Sequence, residues 1–155
     1  MGVSAVIRPE AAAWLRLTRV HHQVTQGAAA HLRQFGLSVA QFDVLAQVGA
    51  RPGRCQITLS RVLLTTAGNL CQLLDRMEER DLVRRAGEGR NNRLFLTAEG
   101  EALYRVVVPA HEAWLAQRLG VLSATERRGL QAALRRLQHW SPEDAERPHS
   151  QQNQG

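Results

Sequence analysis

The chain has 155 residues, enough to bury a self-sufficient core, and carries a formal net charge of +6. Its apolar runs are broken well before the roughly 20 residues that a membrane-spanning helix needs, and residues 1–10 lack the apolar segment of a secretion signal. With two cysteines, Cys55 and Cys71, and no Cys/His cluster, the sequence predicts no metal, cofactor or disulfide framework, and we expect a cytoplasmic protein.

All twenty basic residues are arginine. The guanidinium group presents a planar fork of donors that suits phosphate and guanine, so the composition favours a polyanionic partner. A GC-rich genome explains an all-arginine chain equally well. A basic membrane-surface helix is a poorer explanation, because Asp and Glu are interspersed among the arginines.

Apolar residues at helical spacing predict a first helix from Pro9 to Phe35, with Gly36 at its C-cap. Residues 38–41, Ser-Val-Ala-Gln, form a capping box that opens a second helix ending near Gly49. Residues 51–54, Arg-Pro-Gly-Arg, are a turn by composition.

Apolar spacing predicts a third helix from Gln56 to Leu64, and a fourth begins after the polar residues 65–69. Two short helices joined by a tight polar turn are typical of a helix-turn-helix. A period of two at 82–86 and 93–96, around a Gly-rich tip, predicts a hairpin.

Thr97 then caps a long helix. Residues 123–126, Ser-Ala-Thr-Glu, form a second capping box, which opens the last helix. The composition of residues 141–155 predicts a disordered tail.

This order of elements resembles the multiple-antibiotic-resistance regulator (MarR) family over roughly Leu15 to Leu137. Residues 73–85, Leu-Leu-Asp-Arg-Met-Glu-Glu-Arg-Asp-Leu-Val-Arg-Arg, are similar to the family pattern L-x-D-R-L-E-x-x-G-L-V-x-R. Residues 88–100 are similar to its wing pattern, D-x-R-x-x-x-x-x-L-T-x-x-G. The resemblance implies a mainly α fold with a small β-hairpin wing, a winged helix-turn-helix with N- and C-terminal dimerisation helices.

Three departures from the family bear on the expected contacts. Asp81 stands where the family has Gly, at a position that we expect to need positive φ. Glu88 replaces the wing Asp that orients the following arginine in the family, so we expect Arg90 to be placed differently in this protein. Residues 58–60, Thr-Leu-Ser, replace Glu-Leu-Ala and leave the first helix of the motif more neutral.

Helix-turn-helix proteins insert the N-terminal residues of the second helix into the major groove. The resemblance therefore implies the following major-groove residues: Thr66, Ala67, Gly68, Asn69, Gln72 and Arg76. Asn and Gln match adenine and the Ala methyl group can touch thymine, which predicts half-sites with A·T pairs. The alternative is that these are solvated polar residues on a surface helix.

We expect three wing residues to approach the minor groove: Arg90, Asn91 and Arg93. Five residues near helix N-termini are expected at phosphates: Ser38, Arg54, Thr58, Ser60 and Arg61. The acids Asp75 and Glu79 would repel phosphates, so we expect them to lie outside the groove or to pair with Arg76 and Arg80 along the helix.

The resemblance also implies a homodimer on a pseudo-palindromic DNA operator, acting as a repressor. The corresponding regions are an N-terminal dimerisation helix at 1–35, the DNA-binding domain at 36–100, C-terminal dimerisation helices at 101–140 and the tail at 141–155. Family members respond to small, often aromatic, molecules or to oxidants, and the sequence assigns neither mode here. Cys71 on the recognition helix is more simply an inert small residue than a redox sensor, and the histidines are more simply surface or core residues than ligands.

An enzyme would need a nucleophile, base or metal constellation, and the sequence contains no Gly-rich phosphate loop and no G-x-S-x-G. We therefore expect no enzymatic activity. The competing hypothesis is a winged-helix module that binds a ligand or protein partner and has weak or lost DNA binding, since a fold does not fix a function.

Overall fold

The structure, a computed structural model, describes residues 8–87 and 92–139. The predictions for the wing tip at 88–91 and for the tail at 141–155 lie outside the described residues. Within them the elements follow in this order: α1 Pro9–Leu32, α2 Val39–Ala50, β1 Arg54–Cys55, α3 Gln56–Val62, α4 Ala67–Glu79, β2 Val83–Ala86, β3 Arg93–Leu96, α5 Ala98–Leu119 and α6 Ala124–Gln138.

Local capping sets the ends of the first helices. After Leu32 the chain tightens into a 3₁₀ turn at Arg33–Phe35, and Gly36 adopts a φ of 67°, which a residue without Cβ does without strain. The Ser38 hydroxyl accepts a hydrogen bond from the Gln41 N–H at 3.2 Å, and the Gln41 side chain accepts one from the Ser38 N–H at 3.0 Å. The predicted capping box is confirmed.

The sheet contains one strand more than predicted. Arg54, predicted within a turn, begins β1, which pairs antiparallel with β3 so that Arg54 faces Leu94. The order is β1-β3-β2, and β2 and β3 form the predicted hairpin, with Val83 opposite Leu96. A strand of two residues cannot show an alternating pattern, so its sequence carries no signal of its own.

The core lies around α2, whose buried residues are Phe42, Val44, Leu45 and Val48. Apolar side chains from α1, α3, α4, α5, the two wing strands and the segments that connect them complete the cluster: Leu32, Leu37, Leu59, Leu70, Leu74, Met77, Leu82, Val83, Leu94 and Val107. This burial explains why α4 keeps its apolar spacing on one face and leaves the other face exposed.

The end of α4 and the start of α5 meet at Asp81 and Leu82. Asp81 adopts a φ of 53°, as predicted for the position where the family has Gly. The Thr97 hydroxyl donates a hydrogen bond to the Asp81 carbonyl, and the Thr97 N–H donates one to the Leu82 carbonyl at 3.2 Å. Gly100, buried on α5, donates its N–H to the Thr97 hydroxyl at 3.0 Å. These bonds fasten α5 to the base of the wing.

The contacts divide the chain into two compact units, the first ending at Trp114 and the second beginning at Leu115. The second unit contains α6, opened by a capping box in which Ser123 and Glu126 bond reciprocally, as predicted. None of the helices within the described residues is long and apolar enough to cross a membrane.

Candidate nucleic-acid interface

The helix-turn-helix consists of α3, a four-residue connection and α4. The α3 helix ends at Val62, two residues before the predicted end, because Leu64 adopts a φ of 51° and turns the chain. Leu64 is 94% exposed, so this unfavourable backbone conformation brings no packing in return. Thr66 is the N-cap of α4, and its hydroxyl accepts a hydrogen bond from the Asn69 N–H at 3.1 Å.

One face of α4 is open to solvent from its first residue onward. Leu70, Leu74 and Met77 are buried beneath it. The structure places all six residues predicted for the major groove on the exposed part of the surface: Thr66, Ala67, Gly68, Asn69, Gln72 and Arg76. An added Cβ at Gly68 would meet nothing within 4 Å, which shows how open the first turn is.

The residues predicted at phosphates differ in exposure. Thr58 and Arg61 are exposed on α3, Ser38 is exposed at the start of α2, and Arg54 is half-buried on β1. Ser60 is only 9% exposed and donates its hydroxyl to the Ile57 carbonyl at 2.9 Å. The prediction that Ser60 contacts a phosphate is therefore wrong, because Ser60 lies on the buried face of α3.

Of the wing residues, Arg90 and Asn91 lie outside the described residues. Arg93 is exposed on β3, and its guanidinium donates a hydrogen bond to the Gly53 carbonyl at 3.1 Å. That bond ties the wing to the turn before β1, next to the start of α3.

The pairing of Asp75 differs from one of the two predicted alternatives, the pairing along the helix, while the other, a position outside the groove, stays a prediction. Asp75 does not pair with Arg76 or Arg80 but with Arg85 on β2, whose Nη1 lies 2.8 Å from its Oδ1. Arg80 instead donates a hydrogen bond to the Gly36 carbonyl at 2.9 Å. Arg85 is therefore a contributor to this surface that residue spacing along one helix could not identify, because its partners lie on another element.

Neither cysteine forms a disulfide within the described residues; Cys55 is half-buried on β1 and Cys71 is exposed on α4. The Cys71 carbonyl accepts a hydrogen bond from Arg85 Nη2 at 3.0 Å. Among the described residues there is no group of three or more His, Cys, Asp or Glu side chains that could hold a metal ion.

A second feature lies where α1, α2 and α5 meet within the first unit. The rings of His31, Phe35, Phe42, His111 and Trp114 form an aromatic cluster, with centroid separations from 4.4 Å for Phe42–His111 to 5.7 Å for His31–Trp114. His111 is only 7% exposed. Its Nδ1 and the Nε2 of His31 are buried, and neither forms a hydrogen bond with any described residue.

Burial in this cluster lowers the pKa of His111, and the neighbouring His31 lowers it further. The uncharged imidazole is therefore the form that the folded chain favours. The two ring nitrogens lie among aromatic rings and can form hydrogen bonds with a polar group on a planar molecule. Sequence spacing did not reveal this cluster, because His31, Phe42 and His111 lie on three separate helices.

A helix-turn-helix followed by a two-stranded wing, whose sheet is completed by a strand that precedes α3, defines the chain as a winged helix-turn-helix protein of the DNA-binding class. The sequence model of the MarR family matches residues 35–93. The chain is 30% identical over 127 residues to the transcriptional regulator HosA of Escherichia coli, covering 77% of this chain and 94% of HosA. It therefore belongs to the MarR family of transcriptional regulators, whose members are not enzymes.

Other comparisons agree with this assignment. An HTH-type regulator of Bacillus cereus is 32% identical over 96 residues, and the chain spans 65% of its length. The Staphylococcus aureus MepR–DNA complex shares the fold at a TM-score of 0.71 and 23% identity, over 79% of this chain and 93% of MepR. A Mycobacterium tuberculosis MarR family protein in complex with salicylic acid is similar at a TM-score of 0.65 and 25% sequence identity. The match covers 87% of this chain and 99% of that protein.

Proposed function

We propose that the chain is a repressor that binds a pseudo-palindromic operator as a homodimer, with α4 in the major groove. The observation that carries this proposal is the open N-terminal half of α4, where Thr66, Asn69 and Gln72 are all exposed. Polar side chains at the start of the second helix of this motif are the ones that reach base edges.

The proposed contacts follow from side-chain chemistry. The amides of Asn69 and Gln72 pair with adenine, and the Ala67 methyl group contacts thymine. Gly68 lets the sugar-phosphate backbone approach, while Arg76, further along α4, reaches a phosphate or a guanine.

Backbone contacts come from both sides of α4. Thr58 and Arg61 on α3, with Ser38 and Arg54, position the duplex. The wing residues Arg90, Asn91 and Arg93 enter the adjacent minor groove.

Exposed apolar side chains support the dimer. On α1, Trp14 is 66% exposed, and Leu15, Leu17 and Val20 are also exposed. On α6, Leu130, Leu134 and Leu137 form an i, i+4, i+7 stripe that is exposed as well. Large exposed apolar faces mark interaction sites, so we assign regions 1–35 and 101–140 to dimerisation and 36–100 to DNA binding.

We further propose that a small aromatic effector with a polar substituent binds at the aromatic cluster and releases the operator. The support is the pair of buried ring nitrogens of His31 and His111 among aromatic faces. The relative that binds salicylic acid shows that a protein of this family and fold accepts such a molecule.

The experiment measures binding to fragments of the organism's own genome, with sequencing of the bound fraction, followed by titration of an enriched duplex. Asn69→Ala and Gln72→Ala should each weaken binding about tenfold. Gln131→Ala, at an exposed glutamine on α6, makes the same amide-to-alanine change outside the helix-turn-helix. Because α6 is assigned to dimerisation, its mass in solution is first shown to equal that of the wild type, and it should then bind as the wild type does. A monomeric mass at micromolar concentration, or equal binding to all fragments, would contradict the proposal.

A further inference from the structure

We propose that Arg85 is a positioning residue for DNA recognition, which holds the carboxylates of Asp75 and Glu78 against the wing and keeps their charge from acting on the phosphates. This inference rests on the proposed placement of α4 in the major groove. It assigns a role in DNA binding to a residue that itself faces the protein.

The contacts of Arg85 converge on one stripe of α4. Its Nη1 lies 2.8 Å from Asp75 Oδ1 and 2.8 Å from Glu78 Oε2. Its Nη2 donates to the Cys71 carbonyl at 3.0 Å, and its backbone N–H donates to Glu78 Oε1 at 2.8 Å. Because Cys71, Asp75 and Glu78 are at i, i+4 and i+7, one side chain spans two turns of the helix.

Burial gives these contacts weight. The Arg85 side chain is 18% exposed, while those of Asp75 and Glu78 are 54% and 33% exposed. The guanidinium therefore lies between β2 and α4. It donates hydrogen bonds to one oxygen of each carboxylate, while both carboxylates remain partly exposed to solvent. Bonds of this kind between charged groups are roughly twice as strong as neutral ones.

The charge of α4 makes this arrangement necessary. Within Ala67–Glu79 the charged residues are Asp75, Arg76, Glu78 and Glu79, which sum to −2. A helix with that charge is repelled by a phosphate backbone, and like charges brought together at an interface are costly. Pairing two of the acids with Arg85 reduces the local charge from −2 to −1 and turns the carboxylates towards the wing.

A purely stabilising ion pair would have different consequences. If Arg85 only holds the fold together, affinity and thermal stability fall together when it is removed and neither returns when the acids are neutralised. If Arg85 restrains the charge of the acids, neutralising Asp75 and Glu78 in its absence restores the affinity, although the stabilising bonds are still missing.

The test titrates a duplex that the wild type selects, at fixed salt and below the lowest thermal midpoint of the set. The variants are Arg85→Ala, the milder Arg85→Lys, and Arg85→Ala combined with Asp75→Asn and Glu78→Gln. Arg105→Ala is the matched control, because it removes the same charge and breaks an exposed ion pair, with Glu101 at 3.3 Å on α5. Since α5 lies in the region assigned to dimerisation, the control is used only after its mass in solution is shown to equal that of the wild type.

We expect Arg85→Ala to bind about tenfold more weakly or worse, Arg85→Lys to fall in between, and the control to stay within about twofold of the wild type. The triple variant should recover to within about threefold of the wild type while its thermal midpoint stays as low as that of Arg85→Ala. The inference would be overturned if Arg85→Ala bound with wild-type affinity, if the control lost as much affinity, or if the triple variant did not recover. None of these three results would contradict the proposed function. A wild type that selects no duplex would contradict the proposed function as well.

Discussion

Replacing Gly100 by alanine tests how tightly α5 is fastened to the wing. An added Cβ at Gly100 would lie 2.9 Å from the carbonyl carbon and 3.3 Å from the Cα of Leu82, with the carbonyl oxygen nearer still. Ordinary carbon–carbon contacts begin at about 3.5 Å, so the overlap is at least about 0.6 Å. The obstacle is backbone, which cannot move aside as the end of a side chain can.

The start of α5 must therefore shift, which strains the bonds that Thr97 makes to Asp81 and Leu82. Overpacking of this kind costs about 3 kcal/mol when backbone must move. For a chain of this size that corresponds to a thermal midpoint about 6–12 °C lower.

The assay is thermal unfolding followed by circular dichroism at fixed protein concentration, with Gly129→Ala as the matched control. Gly129 lies within α6, and an added Cβ there would meet nothing within 4 Å. Alanine should therefore raise stability by about 1 kcal/mol through helix propensity. If Gly100→Ala unfolds at or above the wild-type temperature, the packing argument is refuted.

The remaining predictions concern the helix-turn-helix and the aromatic cluster. Thr66→Ala removes the N-cap of α4 and should lower the free energy of unfolding in urea by about 1 kcal/mol; an unchanged midpoint would show that the cap contributes nothing. Leu64→Gly relieves the strain of the positive φ without losing packing. The free energy of unfolding should rise by about 0.5 kcal/mol, because the strain relieved exceeds the added entropy of the unfolded chain; a less stable variant would argue against strain. Folding lowers the pKa of His111 below the ordinary histidine value of 6.5, so in acid the unfolded chain binds more protons than the folded chain. The stability that is present above pH 6.5 is therefore lost as the pH falls below that value. In urea titrations between about pH 7.5 and 5.5, His111→Gln should be less sensitive to acid than the wild type, whereas the exposed His21→Gln should retain that sensitivity; equal slopes for both would exclude this role of His111.

The features predicted correctly from sequence are those fixed by residues close together in the chain. The capping boxes at Ser38 and Ser123 each depend on a residue three positions away, and both are present. The positive φ at Asp81 was predicted from its place in the family pattern. The hairpin was predicted because the period changes from helical spacing to two.

The features that were missed depend on contacts between distant residues. The β1 strand exists only because Arg54 meets Leu94 in space. Arg85 reaches Asp75 only after the chain reverses at Asp81, so reasoning about neighbours on one helix chose the wrong partners. Ser60 was predicted at a phosphate because it lies near a helix N-terminus. That position does not reveal which face of α3 packs against the rest of the protein, and Ser60 lies on the buried face.

The most direct test of α4 as the reading element is selection of bound duplexes from a random library at near-physiological salt, with the wild type and Gln72→Ala in parallel. The wild type should enrich an inverted repeat with A·T pairs in each half-site and half-site centres about 10 base pairs apart, or a multiple of that spacing. Gln72→Ala should enrich the same repeat with the preference lost at one base pair of each half. No enriched sequence, a motif without two-fold symmetry, or an identical motif from both proteins would contradict the assignment of α4 to the major groove.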